Sequence, residues 1–199
     1  MLKLSPVLVD MNLGAQLALS TLIAFVLAVF TLRFLMRRAP PHKSNGPWRV
    51  DLTLGGEQAG MYTKAFTAWN SLFALRVPEA IYFTAIRDSE GNRLECSATY
   101  SIDGRDPEAR WWSLTVYKKN RLIPNELGRY SFSQTTVARN ADGGWSIRLS
   151  PQRQAENWLP SGDPKGNMGL TLRMYGPGPA MLAHPESAAL PAIRRMASA

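Results

Sequence analysis

The chain has one cysteine, Cys96, and two histidines, His42 and His184, in 199 residues. A lone cysteine excludes an internal disulfide framework and a zinc site built from several thiolates. His42 falls in a proline-rich stretch and His184 near the C-terminus, so no spaced histidine ligand set exists. Other signatures are missing too. No glycine-rich turn links a strand to a helix to cradle phosphate, no nucleophile elbow encloses a serine, and no dense acidic loop of the calcium-binding kind occurs. Internal repeats and low-complexity tracts are absent as well. The reading therefore expects no cofactor and no metal, and any general base would have to be a carboxylate.

Charge is absent over one long stretch. Between Asp10 and Arg33 no residue is charged, and residues 17–32 are Leu, Ala, Val, Ile and Phe apart from Ser20, Thr21 and Thr31. Crossing the hydrocarbon core takes about 20 apolar residues in a helix, and hydroxyls are tolerated there because they bond back to the preceding turn. A cleaved signal peptide has a shorter apolar region, about 7–15 residues, and a small-residue cleavage site. Here the run is longer and ends in Arg33, Phe34, Leu35, Met36, Arg37 and Arg38. A buried core helix is the other alternative. The expectation is a retained N-terminal transmembrane anchor with its flanks over residues 1–38, in contact with membrane lipid. Arg33, Arg37, Arg38 and Lys43, set against Lys3, place the following domain in the cytoplasm by the positive-inside rule.

From Ser44 onward there are 18 Lys or Arg and 14 Asp or Glu, a net +4 out of the chain's +8. Much of the basicity therefore sits beside the anchor, where anionic headgroups attract it. The remaining basic residues are scattered rather than striped, which argues against nucleic acid as a partner.

The approximately 150 residues after the anchor suffice for one domain, expected over 48–199. Residues 39–47 read Ala-Pro-Pro-His-Lys-Ser-Asn-Gly-Pro, a proline-rich stalk. A first strand is predicted over 48–54. The period then changes: Tyr62, Phe66, Trp69 and Phe73 recur every three to four residues, predicting an amphipathic helix over about 57–75 that packs on a sheet. Beyond Ala80 the period is two. Leu94, Cys96, Ala98, Tyr100 and Ile102 mark one face of a strand, preceded by a strand over 81–87 and the turn Asp88-Ser89-Glu90-Gly91-Asn92, together a predicted hairpin. Cys96 is thus expected to be a buried small hydrophobe rather than a nucleophile. Further strands are predicted over 111–117, 130–137, 145–149 and 168–175, and the tail after Gly176 as an irregular strap. The fold class expected is all-β: an antiparallel, jelly-roll-like β-sandwich with one packed amphipathic helix, preceded by the transmembrane helix.

The informative cluster is aromatic and arginine-rich. In a strand, Trp111 and Trp112 must point to opposite faces, and both are buried only if the second face is covered. One reading makes Arg110 satisfy carbonyls or a carboxylate beside core tryptophans. The other makes a ligand-binding groove in which Arg110 grips an anion and an indole offers a stacking surface. Trp158, in Asn157-Trp158-Leu159-Pro160, either plugs the end of the sandwich or lines a sugar or headgroup site. Arg173 completes the ligand-binding candidates and is expected to pair with Glu95 or Asp51. No catalytic residue is assigned. A carboxylate-dependent hydrolase acting on an envelope carbohydrate, using Glu95, Asp103 or Glu108 near Arg110, is the alternative to a binding component. A third reading is a structural subunit contacting a neighbour through the Trp69 helix or the apolar span.

A set of motifs in order resembles a known family. Asn45-Gly46-Pro47-Trp48-Arg49 and Ala80-Ile81-Tyr82-Phe83-Thr84-Ala85 are similar to its opening, and Ala109-Arg110-Trp111-Trp112-Ser113-Leu114-Thr115-Val116-Tyr117, Leu122-Ile123-Pro124-Asn125 and Arg129-Tyr130-Ser131 to its centre. Asn157-Trp158-Leu159-Pro160 and Leu170-Thr171-Leu172-Arg173-Met174-Tyr175-Gly176-Pro177 are similar to its end. The family is the bacterial domain of unknown function 1214. The resemblance implies a jelly-roll-like sandwich in an exported or envelope protein, without established catalytic residues. It also implies a short form lacking the 1254 sister domain, hence a separately encoded protein partner resembling that domain. The anchor, the missing catalytic set and the aromatic and arginine motifs add an envelope glycan as a further candidate partner. The family's envelope setting implies an inner-membrane protein with its domain in the periplasm, the reverse of the local charge count.

Overall fold

Asn12 begins the first helix in the expected way for an N-cap: its side-chain Oδ1 accepts from the Ala15 amide at 2.8 Å, and its carbonyl accepts from Gln16 at 3.0 Å. Helix α1 then runs over Leu13–Arg37, 25 residues, or about 37 Å at 1.5 Å per residue. The computed structural model describes residues 12–37, 42–53, 55–56, 59–69 and 75–197, and the chain divides into two units, Met1–Pro40 and Pro41–Ala199.

In the first unit, Leu13–Phe34 has a mean hydropathy of 2.2 and none of it is buried within the protein. Leu22, Phe25, Val26, Leu27 and Phe30 all stand exposed. Leaving such a side chain in water forfeits about 1.5–3 kcal/mol each, and a helix apolar on every side has no aqueous face. The span is long and apolar enough to cross a bilayer once, and this is a membrane-associated protein.

The second unit is a β-sandwich. Eleven strands are described: β1 (Lys43–Asn45), β2 (Trp48–Val50), β3 (Ala80–Ala85), β4 (Tyr100–Gly104), β5 (Ala109–Lys118), β6 (Arg121–Leu122), β7 (Ser131–Ser133), β8 (Trp145–Ser150), β9 (Trp158–Pro160), β10 (Gly169–Pro177) and β11 (Ala192–Arg195). The larger sheet has the order β1-β2-β3-β10-β5-β6, with β7 also on β5; the smaller is β11-β4-β8-β9. Every pairing is antiparallel except β8 with β9.

Alternation builds the core. From the larger sheet Phe83, Trp112, Leu114, Val116, Leu172 and Met174 are fully buried, and from the smaller Tyr100, Ile102, Ile147, Leu149, Leu159 and Ile193 meet them. Trp145 lies so close to the β4 backbone that a Cβ on Gly104 would sit 2.7 Å from its Cζ2. Only glycine lets that indole reach the interior.

Several sequence expectations differ in detail. The hairpin expected from 81–87 and 94–102 closes only at its turn. Arg87 and Arg93 form one antiparallel bridge and Leu94 donates to the Ile86 carbonyl at 3.1 Å. The chain then turns, with the Ala98 amide bonding the Glu95 carbonyl at 3.2 Å, and β4 joins the other sheet. Leu94, Cys96 and Ala98 are buried as the pattern required, but regular strand starts at Tyr100. Within the stretch read as a stalk, Lys43–Asn45 is β1, paired to β2 through Gly46 and Pro47. The strap after Gly176 contains a short helix over Pro179–Ala183 and ends as β11 on β4. It is fastened by Trp48 Nε1 donating to the Pro191 carbonyl at 2.7 Å and by Asn45 Nδ2 donating to the Pro185 and Ala188 carbonyls at 3.1 and 2.8 Å. The amphipathic helix is α2 (Met61–Trp69). The side chains of Tyr62, Phe66 and Trp69, and Phe73 as a whole, lie outside the described residues.

Candidate functional site

Strand β5 sends its two tryptophans opposite ways. Trp112 is wholly buried and stacks on Trp145, ring centroids 4.7 Å apart at 27°. Its Nε1 donates to Asp106 Oδ1 at 2.9 Å. Arg139 grips the same carboxylate with two bonds, 3.1 Å to Oδ1 and 2.8 Å to Oδ2, and also donates to the Gln134 carbonyl at 3.1 Å. Partial burial pushes the Asp106 carboxyl up, but the hydrogen bonds from Arg139 and Trp112 and the Arg139 charge outweigh it and hold it below the usual carboxylate range. The interior tryptophan is thus a structural post with its one polar atom paired.

Trp111 is half-buried on the outer face. It leans on Tyr175 of β10, centroids 5.4 Å apart at 51°. Beside it the register sets Ser113 opposite Ser133 and Thr115 opposite Ser131, so hydroxyls gather on one face of β5 and β7. A groove of about 540 Å³ runs here, lined by Trp111, Ser113, Ser131, Ser133 and Thr136 together with Arg129 and Tyr130.

One side chain shapes the turn that carries Arg129. Asn125 Nδ2 donates to the Ile123 and Arg129 carbonyls at 3.1 and 2.9 Å, and its Oδ1 accepts from the Arg129 amide at 3.0 Å. This ties residues 125–129 into a closed turn, leaving Arg129 exposed with its guanidinium carbon 5.2 Å from the centroid of Phe132. The free edge of β7 is largely occupied: the Ser133 amide donates to Thr136 Oγ1 at 2.9 Å, and the Ser133 carbonyl accepts from the Thr136 and Val137 amides at 3.0 Å.

The five ligand-binding candidates read from the sequence do not converge on one point. Trp111 and Arg173 share the outer face of the larger sheet, where Arg173 lies opposite Ser113 across the β5–β10 ladder. Arg173 pairs with neither Glu95 nor Asp51: it donates to Thr115 Oγ1 at 2.9 Å and Tyr117 Oη at 2.6 Å, its guanidinium carbon 5.5 Å from the Tyr117 ring centroid. Alternation explains this, since Arg173, Thr115 and Tyr117 all point outward while Glu95 pairs with Arg195 at 3.2 Å. Arg110 is exposed opposite Gly176 and has no hydrogen bond or ion pair among the described residues. Trp112 belongs to the core. Trp158 sits in the smaller sheet, half-buried, its Nε1 donating to the Ser150 carbonyl at 3.1 Å.

Of the carboxylates considered for hydrolysis, Asp103 accepts from Ser101 and Ser146 hydroxyls, each at 2.7 Å, and pairs with Arg194 at 3.0 Å. Burial raises its pKa, yet these bonds and the arginine charges bring it below the ordinary aspartate value. A carboxylate so held is an acceptor, not a proton donor at neutral pH. Glu108 is exposed beside Gly178. Among the described residues no group of three or more His, Cys, Asp or Glu could hold a metal ion.

Ser113, Ser131, Ser133 and Thr136 were not singled out by the sequence reading, although hydroxyls two residues apart beside Trp111 were a usable signal. Arg129 could not be placed without the register of β7.

Comparison with known proteins agrees with the architecture. A crystal structure of a Vibrio parahaemolyticus protein is similar with a TM-score of 0.60 and 23% identity, over 94% of this chain and 47% of that one. The present chain therefore spans about half the length of the Vibrio protein, and at this identity the likeness is one of fold alone. An uncharacterised Burkholderia cenocepacia protein aligns at a TM-score of 0.40 and 18% identity, over 60% of this chain and 30% of its own. Among curated proteins there is no match. The model of the family described as Protein of unknown function (DUF1214) matches residues 79–179, a segment running from the start of β3 into the tail helix and including the residues that line the groove. The chain belongs to that family.

Proposed function

We propose that this protein is a single-pass, non-enzymatic binding component of the bacterial cell envelope, anchored in the inner membrane with its sandwich in the periplasm, and that the groove beside Trp111 holds a glycan. One observation carries the reading: a half-exposed indole lines a groove with the exposed residues Ser131 and Thr136, while Ser113 and Ser133 lie nearly buried in it, the Ser133 hydroxyl paired with those of Thr135 and Thr136. The flat apolar face of an indole suits the C–H face of a sugar ring, and serine and threonine hydroxyls both donate and accept, as sugar hydroxyls require. An extended peptide fits less well. Strand addition needs a free edge, and the β7 edge at Ser133 is taken by Thr136 and Val137.

Assembly with a separately encoded protein is the second reading. It is favoured by the Vibrio parahaemolyticus protein, which has as much chain again beyond the part matched here. The two readings do not exclude one another.

The test is a titration of the full chain in nanodiscs with fragments of envelope polysaccharide, followed by tryptophan fluorescence. Saturable quenching that is lost in W111A supports the glycan reading; unchanged binding by W111A rejects the groove. The side of the membrane is tested separately, by protease added to spheroplasts, which should remove the domain if it is periplasmic.

A further inference from the structure

The groove's charge is one-sided. Among the described residues Arg129 is the one charged side chain lining it, and no aspartate or glutamate does. The guanidinium rests over the Phe132 ring and has no hydrogen bond or ion pair among the described residues. Arg105, Arg139, Arg194 and Arg195 pair with carboxylates instead, and Arg110, which like Arg129 has no such partner, does not line the groove. A guanidinium braced on an aromatic face keeps its N–H edges available for an anion. The hydroxyls of Ser113 and Ser131 likewise have no hydrogen bond among the described residues.

Resting on the glycan reading, we infer that the groove selects an acidic sugar, with Arg129 gripping its carboxylate while Trp111 stacks on the ring. Two parts of the groove divide the work. The indole and hydroxyls contact features common to all saccharides, so they contribute affinity without choosing among them. The guanidinium offers paired donors that match a carboxylate bidentately, whereas a neutral sugar offers it only uncharged hydroxyl acceptors, a weaker pairing. The net +4 of the residues from Ser44 onward favours the same sign of ligand.

The full chain in phosphatidylcholine nanodiscs would be titrated with tetragalacturonate and with the same oligomer after carboxyl reduction. Wild type should bind the acid form about tenfold more tightly or better at low salt, and the preference should shrink as salt is raised. R129Q should lose the preference, its affinity for the acid form falling far more than its affinity for the neutral oligomer, and R129K, which keeps the charge, should retain part of it. W111A should weaken both oligomers. Arg129 is exposed, so unchanged thermal melts of R129Q and R129K are expected. Equal wild-type affinity for the two oligomers, or a preference that survives in R129Q, would overturn the acidic-sugar inference and leave the glycan reading standing. Failure of wild type to bind either oligomer would count against both.

Discussion

Trp111 and Trp112 are neighbours in sequence and alike in chemistry, yet they sit in different worlds. Trp112 has lost all contact with water, with an indole stacked on it and a carboxylate on its nitrogen. Trp111 leans on one tyrosine and keeps part of its ring in solvent beside a groove. The pleat of β5 alone makes the difference. It teaches that residue identity does not assign a role; the face does. On the inner face a tryptophan contributes stability, and on the outer face it is available to a ligand.

The sharpest way to break this comparison is W112A, which empties a large volume and strands Asp106. A loss of about 3–5 kcal/mol is expected, read as a lowered denaturant midpoint, and the variant should scarcely accumulate. G104A presses a methyl group into Trp145 and should cost about 1–3 kcal/mol, seen in the same titration. D106N keeps the shape but removes the charge that Arg139 holds, so about 1 kcal/mol is expected because that pair is partly exposed.

The same aspartate makes stability depend on pH. Its folded pKa is lowered, so its contribution is complete above the ordinary aspartate value, about 3.9, and disappears as pH falls through the lower folded value. Thermal melts from neutral to acid should therefore show a steeper loss in wild type than in D106N. The smallest stability change belongs to W111A, at most about 1 kcal/mol, with the binding defect described above. If W111A proved as damaging as W112A, the outer face would be core and the division between the faces would fail.

The sequence made some of this legible and not the rest. The anchor could be read because it depends on composition along one line: no charge from Met11 to Leu32. Strands β5, β8 and β10 were visible because alternation persists over six or more residues. Residues Leu94 to Ala98 show where alternation misleads. They are buried with period two, but they cross between sheets through a turn and form no ladder. Strand β9 was hidden by its parallel pairing and by Asn157, whose φ of 45° resembles a loop. That Asn157 side chain both accepts from and donates to the Ala138 backbone, at 2.8 and 2.7 Å, standing in for a strand partner. Of the candidate groove, Trp111 was foreseen, while Arg129 and Ser131 come to it only through the pairing of β7 with β5, a long-range fact that no local pattern contains.

The order in which strands enter the sandwich has a consequence for biogenesis. The chain changes sheets between β3 and β4, β4 and β5, β7 and β8, β9 and β10, and β10 and β11. Moreover β10, which joins β3 to β5 in the middle of the larger sheet, is the last but one strand to be synthesised. At roughly 5–20 residues per second, β5 waits about 3–12 seconds for the strand that pairs with its central edge. Throughout that interval the apolar faces of β3 and β5 are exposed on a chain whose leading helix has already been made. Contacts of such long sequence separation close slowly. Tethering by α1 holds each nascent copy by one end, a restraint that limits diffusion of unfinished sheets toward one another during the wait.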